Sequence, residues 1–238
     1  MSDKTHWDRV YQNQSAEDVS WFQPHAQQSL DLIGRICNGQ SSRVIDVGGG
    51  ASTLVDDLLD RRTFQVSVLD LSSAALDVAK RRLGARSRSV QWLVGDITNV
   101  ALPEQSFDIW HDRAVFHFLT ERSQREAYVA QVRRAVRPGG HVIVAAFGPD
   151  GPLRCSGLPV VRFAPRGAAR GVRRCLRVAR PPQRIACDAE RRRAEVRVLP
   201  LPGALSEVAC LPRSRSSSTI GNPTPTQPTA AGFCGPSG

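Results

Sequence analysis

The residues most able to do chemistry fall into two groups. The first is the glycine run Asp46-Val47-Gly48-Gly49-Gly50-Ala51-Ser52. Glycines permit a tight turn and let a ligand approach the backbone closely. A dinucleotide loop wants G-x-G-x-x-G beneath its pyrophosphate; Gly48 and Gly50 fit, but Thr53 stands at the third position. Asp46, two residues before Gly48, would repel a pyrophosphate and suits a ligand carrying cationic sulfonium and ammonium groups. Two further carboxylates follow apolar runs: Asp70, with Leu71 after it, and Asp96, with Ile97 after it. Asp70 can accept a pair of ribose hydroxyls; Asp96 can accept an adenine amino group while Ile97 packs on the ring. The alternative for each carboxylate is a cap or a surface ion pair, and for the loop a plain strand–helix turn. The second group is His111, Asp112, Arg113 and His117. His111 can take a proton near neutrality, Asp112 can orient it, and Arg113 can hold an anionic substrate. The competing reading pairs Asp112 with Arg113 structurally and packs His117 in the core.

These groups need elements to position them, and the apolar pattern supplies strands and helices in alternation. Arg43–Val47 reads as a strand ending at the glycines, and residues 52–60 as a helix with Leu54, Val55, Leu58 and Leu59 on one face. Gln65–Asp70 is a second strand. Ser72 then caps a helix striped by Leu76, Ala79 and Leu83. Val90–Val94 and Phe107–Trp110 are the third and fourth strands. A helix over 121–136 buries Tyr128, Val129, Val132 and Val136; Pro138-Gly139-Gly140 stops it, and His141–Phe147 is the fifth strand. Repeated strand–helix units imply a parallel sheet covered on both faces, a doubly wound α/β domain. Ligands of such sheets lie beyond the carboxyl ends of the strands, where these acids fall. Ahead of the sheet, Trp7, Tyr11, Trp21 and Phe22 crowd an aromatic segment, and Pro24 opens a helix running to about Cys37.

Composition divides the chain. Residues 1–150 carry 17 basic and 18 acidic side chains; residues 151–238 carry 15 basic and 4 acidic, so the net charge of +10 arises entirely in the last third. That third also holds 12 of the 16 prolines and 5 of the 6 cysteines, with no Trp, Tyr or Lys. No apolar run approaches the roughly 18 residues of a membrane span, and Met1–Trp7 has no apolar signal core. No C-x-x-C pair suggests zinc or a redox couple. A reduced, cytoplasmic protein with no membrane and no bound metal is expected.

The ordered set W-D-x-x-Y (Trp7–Tyr11), S-W-F-Q (Ser20–Gln23), D-V-G-G-G-x-S (Asp46–Ser52), G-D-I-T (Gly95–Thr98), D-x-W-H-D-R-A-V-F-H-F-L (Asp108–Leu119) and R-P-G-G (Arg137–Gly140) resembles bacterial class I S-adenosylmethionine-dependent methyltransferases over about residues 5–162. The resemblance implies a Rossmann-like methyltransferase sheet and S-adenosyl-L-methionine as cofactor. It implies cofactor contacts from Asp46, Gly48, Gly49, Gly50, Asp70, Leu71, Asp96 and Ile97. Trp7 and Tyr11 would cover the cofactor, and His111 would lie near its methyl group. The acceptor would be a small molecule or a protein; no nucleic-acid partner is expected, and neither the acceptor nor the oligomeric state is legible.

The expected organisation is an N-terminal cap over 1–41, a cofactor-binding core over 42–162, and an Arg/Pro-rich tail over 163–238. Shifting the codons by one nucleotide lets Arg170–Val178 encode E-E-F-G-D-A-F-E-L and Arg184–Val198 encode E-x-H-V-T-P-x-G-x-x-Q-K-F-V-Y, as the resemblance leads one to expect after strand five. A one-base lesion near codons 163–164 would leave a disordered tail, remove the sixth strand and the antiparallel seventh that the resemblance implies, and open the edge of strand five. The alternatives to an active transferase are a non-catalytic cofactor-binding remnant and an Arg-rich interaction protein.

Overall fold

Short β-branched and aromatic runs build the centre of the molecule. In the computed structural model, residues 4–37 and 39–163 are described in full, together with the backbone of two strands between 185 and 200. Five parallel strands run in the spatial order β3-β2-β1-β4-β5. They are β1 (Ser42–Val47), β2 (Phe64–Asp70), β3 (Val90–Val94), β4 (Phe107–Arg113) and β5 (Val136–Phe147). Helices α1 (Lys4–Asn13) and α2 (Gln27–Cys37) precede the sheet; α3 (Leu54–Asp60), α4 (Ser73–Leu83) and α5 (Arg122–Ala135) lie within the crossovers. The chain steps outward from β1 to β2 and β3, then returns to lay β4 on the other side of β1. The β1–β4 boundary is therefore the switch point where such sheets open a ligand crevice.

Alternation along the strands divides the core in two. Ile45, Val47, Trp110, Val142 and Val144 pack with Tyr128 and Val132 of α5 on one face. Val44, Val66, Val68, Ile109 and Ile143 pack with Leu30 and Ile33 of α2 and Leu54 and Leu58 of α3 on the other. This alternation decides where each residue of β4 points. Ser72 caps α4 as the sequence indicates, its hydroxyl accepting the Ala75 N–H at 3.1 Å.

Three expectations need correction. Helix α5 ends at Ala135, and the strand starts at Val136 rather than after the glycines. Val136 pairs with Phe107, and an irregularity absorbs Arg137–Gly140 before His141 pairs with Ile109. The Pro-Gly-Gly run thus bends a strand instead of stopping a helix; Gly139 takes φ +79° there. Strand β4 extends three residues further than expected, to Arg113. Finally, the outer edge of β5 is not open. A strand over Ala194–Pro200 runs antiparallel along it from Phe147 to His141, and Ile185–Ala186 pairs with that strand in turn. These two strands fill the sheet positions that the sequence had suggested were lost. The rest of the tail, with the expected disorder, lies outside the described residues.

Past β5, Arg154–Cys155 (β6) and Leu158–Pro159 (β7) form a hairpin whose corner residues Ser156 and Gly157 have φ of +49° and +77°. Two positive φ values match the twist of a two-residue hairpin turn. Among the described residues, no helix is long and apolar enough to cross a membrane.

Candidate functional site

The crevice at the switch point begins with the loop leaving β1. Gly48 has φ +69°, and a Cβ there would stand 2.0 Å from the Val115 side chain. A Cβ at Gly49 would fall 2.6 Å from both Asp46 Oδ2 and Val68 Cγ1. The loop is glycine-rich because it is pressed against the ends of β2 and β4. Gly48 and Gly49 N–H both donate to Leu69 O, at 2.7 and 3.3 Å, binding the loop to the end of β2.

Asp46 is buried and pairs in register with His111 of the neighbouring strand. Its Oδ1 lies 2.7 Å from His111 Nδ1, and His111 Nε2 lies 2.8 Å from the hydroxyl of Ser29 on α2. A carboxylate only accepts, so the Nδ1 proton faces Asp46; in the neutral ring Nε2 then accepts from Ser29. The Ser29–His111–Asp46 connectivity has the order of a hydrolase triad. Ser29 is 7% exposed and does not line the crevice, however, so the chain of bonds holds Asp46 rather than activating a nucleophile. Ser29 was missed in the sequence, since only the fold brings α2 beneath β4.

Asp70 ends β2 and accepts the Ser72 N–H at 2.8 Å. The position of a Cβ on Gly50 would be 2.9 Å from Asp70 Oδ2 and 3.4 Å from the Tyr11 hydroxyl. The loop, the second acid and α1 therefore meet at one point. Burial, then the nearby Asp46 and Asp8, push the Asp70 carboxyl up to about 7. Burial and the charge of Asp70 raise Tyr11 to about 12, so its hydroxyl stays a donor. Leu71 is half-buried beside Asp70. Asp96 folds into its own turn, with Oδ1 accepting the Thr98 N–H and hydroxyl at 2.8 and 2.7 Å. Ile97 is only 5% exposed and belongs to the core against Phe107 and Leu102. A hydrophobic residue after an acid carries no mark of which way it turns.

The aromatic segment forms the opposite wall. Helix α1 is tied to the cap of α4 by Ser72 Oγ donating to Asp8 Oδ1 at 2.6 Å. Trp21 Nε1 reaches the Tyr11 oxygen at 3.3 Å, and the Trp7 ring stands edge-on to Trp21 and Phe118. Two side chains strap the following segment across the crevice: Thr53 Oγ1 donates to Gln23 O at 2.8 Å, and Arg113 Nη2 donates to Trp21 O at 3.2 Å. Tyr11, Trp21, Phe22, Asp46, Gly48, Gly49, Ser52, His111 and Arg113 are among the lining residues.

The four residues singled out around β4 part company. His111 and Arg113 face the crevice side, whereas Asp112 points to the opposite face of the sheet. Asp112 therefore does not orient His111; Asp46 does. Asp112 is fully buried, accepting Val115 N–H at 2.8 Å, Phe116 N–H at 3.1 Å and the Tyr128 hydroxyl at 2.7 Å. Tyr128 in turn accepts from Trp110 Nε1 at 2.8 Å. Burial raises the Asp112 carboxyl to about 6, with Tyr128 and the two amides pulling against it. This node fixes the turn after β4, where Ala114 is held at φ +81°. His117 lies 1% exposed, stacked on Phe147, with burial lowering it to about 4. It is not among the residues lining the crevice. The alternative that packs His117 in the core matches its place in the structure.

A family model described as a methyltransferase domain matches residues 44–140, the stretch from β1 into the start of β5, with all three acids. The malonyl-[acyl-carrier protein] O-methyltransferase of Halalkalibacterium halodurans is 29% identical over 129 residues, covering 52% of this chain and 45% of that protein. The demethylmenaquinone methyltransferase of Deinococcus radiodurans is 28% identical over 109 residues, covering 45% and 44%. The chain spans about half the length of the curated relatives it matches. Among solved structures, the 1,6-didemethyltoxoflavin-N1-methyltransferase of Burkholderia thailandensis, with 1,6-didemethyltoxoflavin and S-adenosylhomocysteine bound, has the same fold. Its TM-score is 0.60 at 17% identity, covering 84% of this chain and 87% of that one. The sequence match and the shared fold agree that residues 44–140 carry a methyltransferase domain, on the fold of a methyltransferase that binds S-adenosylhomocysteine.

Proposed function

We propose that the crevice binds S-adenosylmethionine and that the protein methylates a small-molecule or protein acceptor. The observation that carries the reading is the meeting of Asp46 and Asp70, on adjacent strands, at one glycine loop, where a Cβ on Gly49 would stand 2.6 Å from Asp46 Oδ2 and one on Gly50 2.9 Å from Asp70 Oδ2. The fit is chemical. Asp70, raised by burial and then by the neighbouring Asp46 and Asp8 against the amide bonds of Ser72 and Leu71, is an acid whose site favours added positive charge and further donors. A ligand bearing an ammonium, a sulfonium and two vicinal hydroxyls supplies both. Asp46, with the loop at Gly48–Gly50, would hold the methionine and ribose side; Asp70 would take the ribose hydroxyls, with Leu71 beside them. Asp96 would meet the adenine amine through the carboxylate oxygen not used by Thr98. Trp7 and Tyr11 would close the mouth.

When bound, S-adenosylmethionine supplies an electrophilic methyl group whose transfer dissipates charge. The protein's part is alignment and exclusion of water. Trp21, Phe22 and the strap through Gln23 shield the crevice. Arg113 faces it and suits an anionic acceptor group. Both ring nitrogens of His111 are engaged by Asp46 and Ser29, so its role is to hold Asp46 in place. A base is needed only for an acceptor that arrives protonated. The curated relatives include a malonyl-[acyl-carrier protein] O-methyltransferase and a ubiquinone/menaquinone biosynthesis C-methyltransferase, names that favour a small or carrier-bound acceptor.

The test is a calorimetric titration of the full chain with S-adenosylhomocysteine, beside Asp70→Asn. Saturable binding by the wild type, weakened in the variant, supports the reading. A flat isotherm from a folded wild type refutes it.

A further inference from the structure

We infer that Arg82, which lies outside the crevice lining, is a positioning residue for the glycine loop: it clamps the loop's exit so that the ligand-binding form exists before the ligand arrives. The inference rests on the proposed cofactor reading of that loop. Arg82 sits in the last turn of α4, where a basic residue needs no role beyond the helix dipole. Its guanidinium is nonetheless spent on the loop. Nη1 donates to Ala51 O at 2.8 Å and Nη2 to Ser52 O at 2.7 Å. Nη2 and Nε also bind the Asp56 carboxylate, at 2.6 and 3.1 Å. Ala51 and Ser52 both line the crevice, so the clamp grips the loop through its carbonyls and leaves the crevice clear.

The chemistry explains why the device is an arginine. Only a planar fork with several fixed N–H groups can span two successive carbonyls and a carboxylate at once; a lysine ammonium is a single point charge. The need is set by the loop itself. Three successive glycines have the largest backbone entropy of any sequence. If nothing fixed them, ordering them would be charged to ligand binding. Asp56, in the first turn of α3, completes the brace between α3, α4 and the loop: its N–H donates to Thr53 O at 3.0 Å. The next basic residue on this surface, Arg86, pairs with Asp60 and the Asp56 carbonyl and touches no loop atom. Arg86 is thus a built-in control.

The experiment uses the full chain with Arg82→Gln, Arg82→Lys and Arg86→Gln. Amide hydrogen exchange over residues 46–56 of the free protein is measured beside calorimetric titration with S-adenosylhomocysteine, well below each melting midpoint. Arg82→Gln should exchange faster in the loop but not in β1 or β2. Its affinity should fall about tenfold, the loss expected for hydrogen bonds to a charged group. Arg82→Lys should recover the melting midpoint through Asp56 without recovering the affinity. Arg86→Gln should bind as the wild type does. Unchanged loop exchange in Arg82→Gln overturns the clamp, as does an equal loss of affinity in Arg86→Gln. If the folded wild type gives a flat isotherm, the cofactor reading falls; loop exchange then still decides for or against the clamp.

Discussion

Replacing His117 with Phe should make the protein more resistant to acid, and the size of the effect follows from the site. The imidazole is 1% exposed, stacks on Phe147 at 4.6 Å with an interplanar angle of 10°, and stands edge-on to Phe118. Neither ring nitrogen has a hydrogen-bond partner among the described residues. Burial lowers its pKa from 6.5 to about 4. The sign follows directly. Between those values the unfolded chain binds a proton that the folded chain refuses, so stability is lost as pH falls. At about pH 5 this costs about 2 kcal/mol, and at about pH 7 almost nothing. Asp112 and Asp70 act in the opposite sense. Their folded pKa values are raised to about 6 and about 7, so their contribution is greatest at low pH and fades as pH rises through those values. Both are present in wild type and variant and cancel in the comparison. Phe keeps the stack, removes the titrating group, and relieves unpaired nitrogens, for a further gain of about 1 kcal/mol at any pH. Melting midpoints of both proteins should therefore differ by about 4–8 °C more at about pH 5 than at about pH 7. A difference that is the same at both pH values would refute the reasoning.

Other perturbations follow from the same geometry. Tyr128→Phe strips one donor from buried Asp112 and leaves the Trp110 indole N–H unpaired, so unfolding titrations should show a loss of about 3 kcal/mol; a loss below about 0.5 kcal/mol would contradict the node. Gly49→Ala must move Asp46 or Val68, because the new Cβ meets each at 2.6 Å. It should abolish S-adenosylhomocysteine binding in a protein that still folds, and retained affinity would separate Asp46 from the ligand. Ser29 should not be labelled by a fluorophosphonate, because its hydroxyl is held by His111 beneath α2; labelling would mean that it reaches the crevice. Deleting residues 164–238 strips Ala194–Pro200 from the edge of β5, and light scattering should then show self-association. A monodisperse truncated chain with the wild-type melting midpoint would argue against that pairing.

Much of the fold was legible because its signals are local. Short apolar-rich runs with an acid in or just after them mark β1, β2 and β3, and Ser72 announces α4 through its cap. The boundary at β5 was not legible: Pro138-Gly139-Gly140 carries a strong breaker signal, and only the register against Phe107 and Ile109 shows that a bent strand absorbs it. Nor could the edge beside β5 be read from an Arg-rich segment without apolar periodicity.

The candidate residues divide along the same line. Asp46, Gly48, Gly50 and Asp70 could be singled out because their signal lies in their own strand and loop, whereas Ser29, Arg82 and the Asp112–Tyr128 node depend on which elements are neighbours. His111-Asp112-Arg113 shows the difference within three residues. As a sequence they read as one catalytic cluster; as a strand they alternate. Asp112 must face α5 once His111 faces α2, and a carboxylate on the α5 side can cap the turn after β4 but cannot serve a histidine on the other face. The partner of His111 had to come from the adjacent strand at the same level, and β1 places Asp46 there. The acid that the ligand reading needs at the switch point is therefore the same acid that the histidine fixes. Removing His111 should weaken ligand binding through Asp46 while leaving the Asp112 node intact.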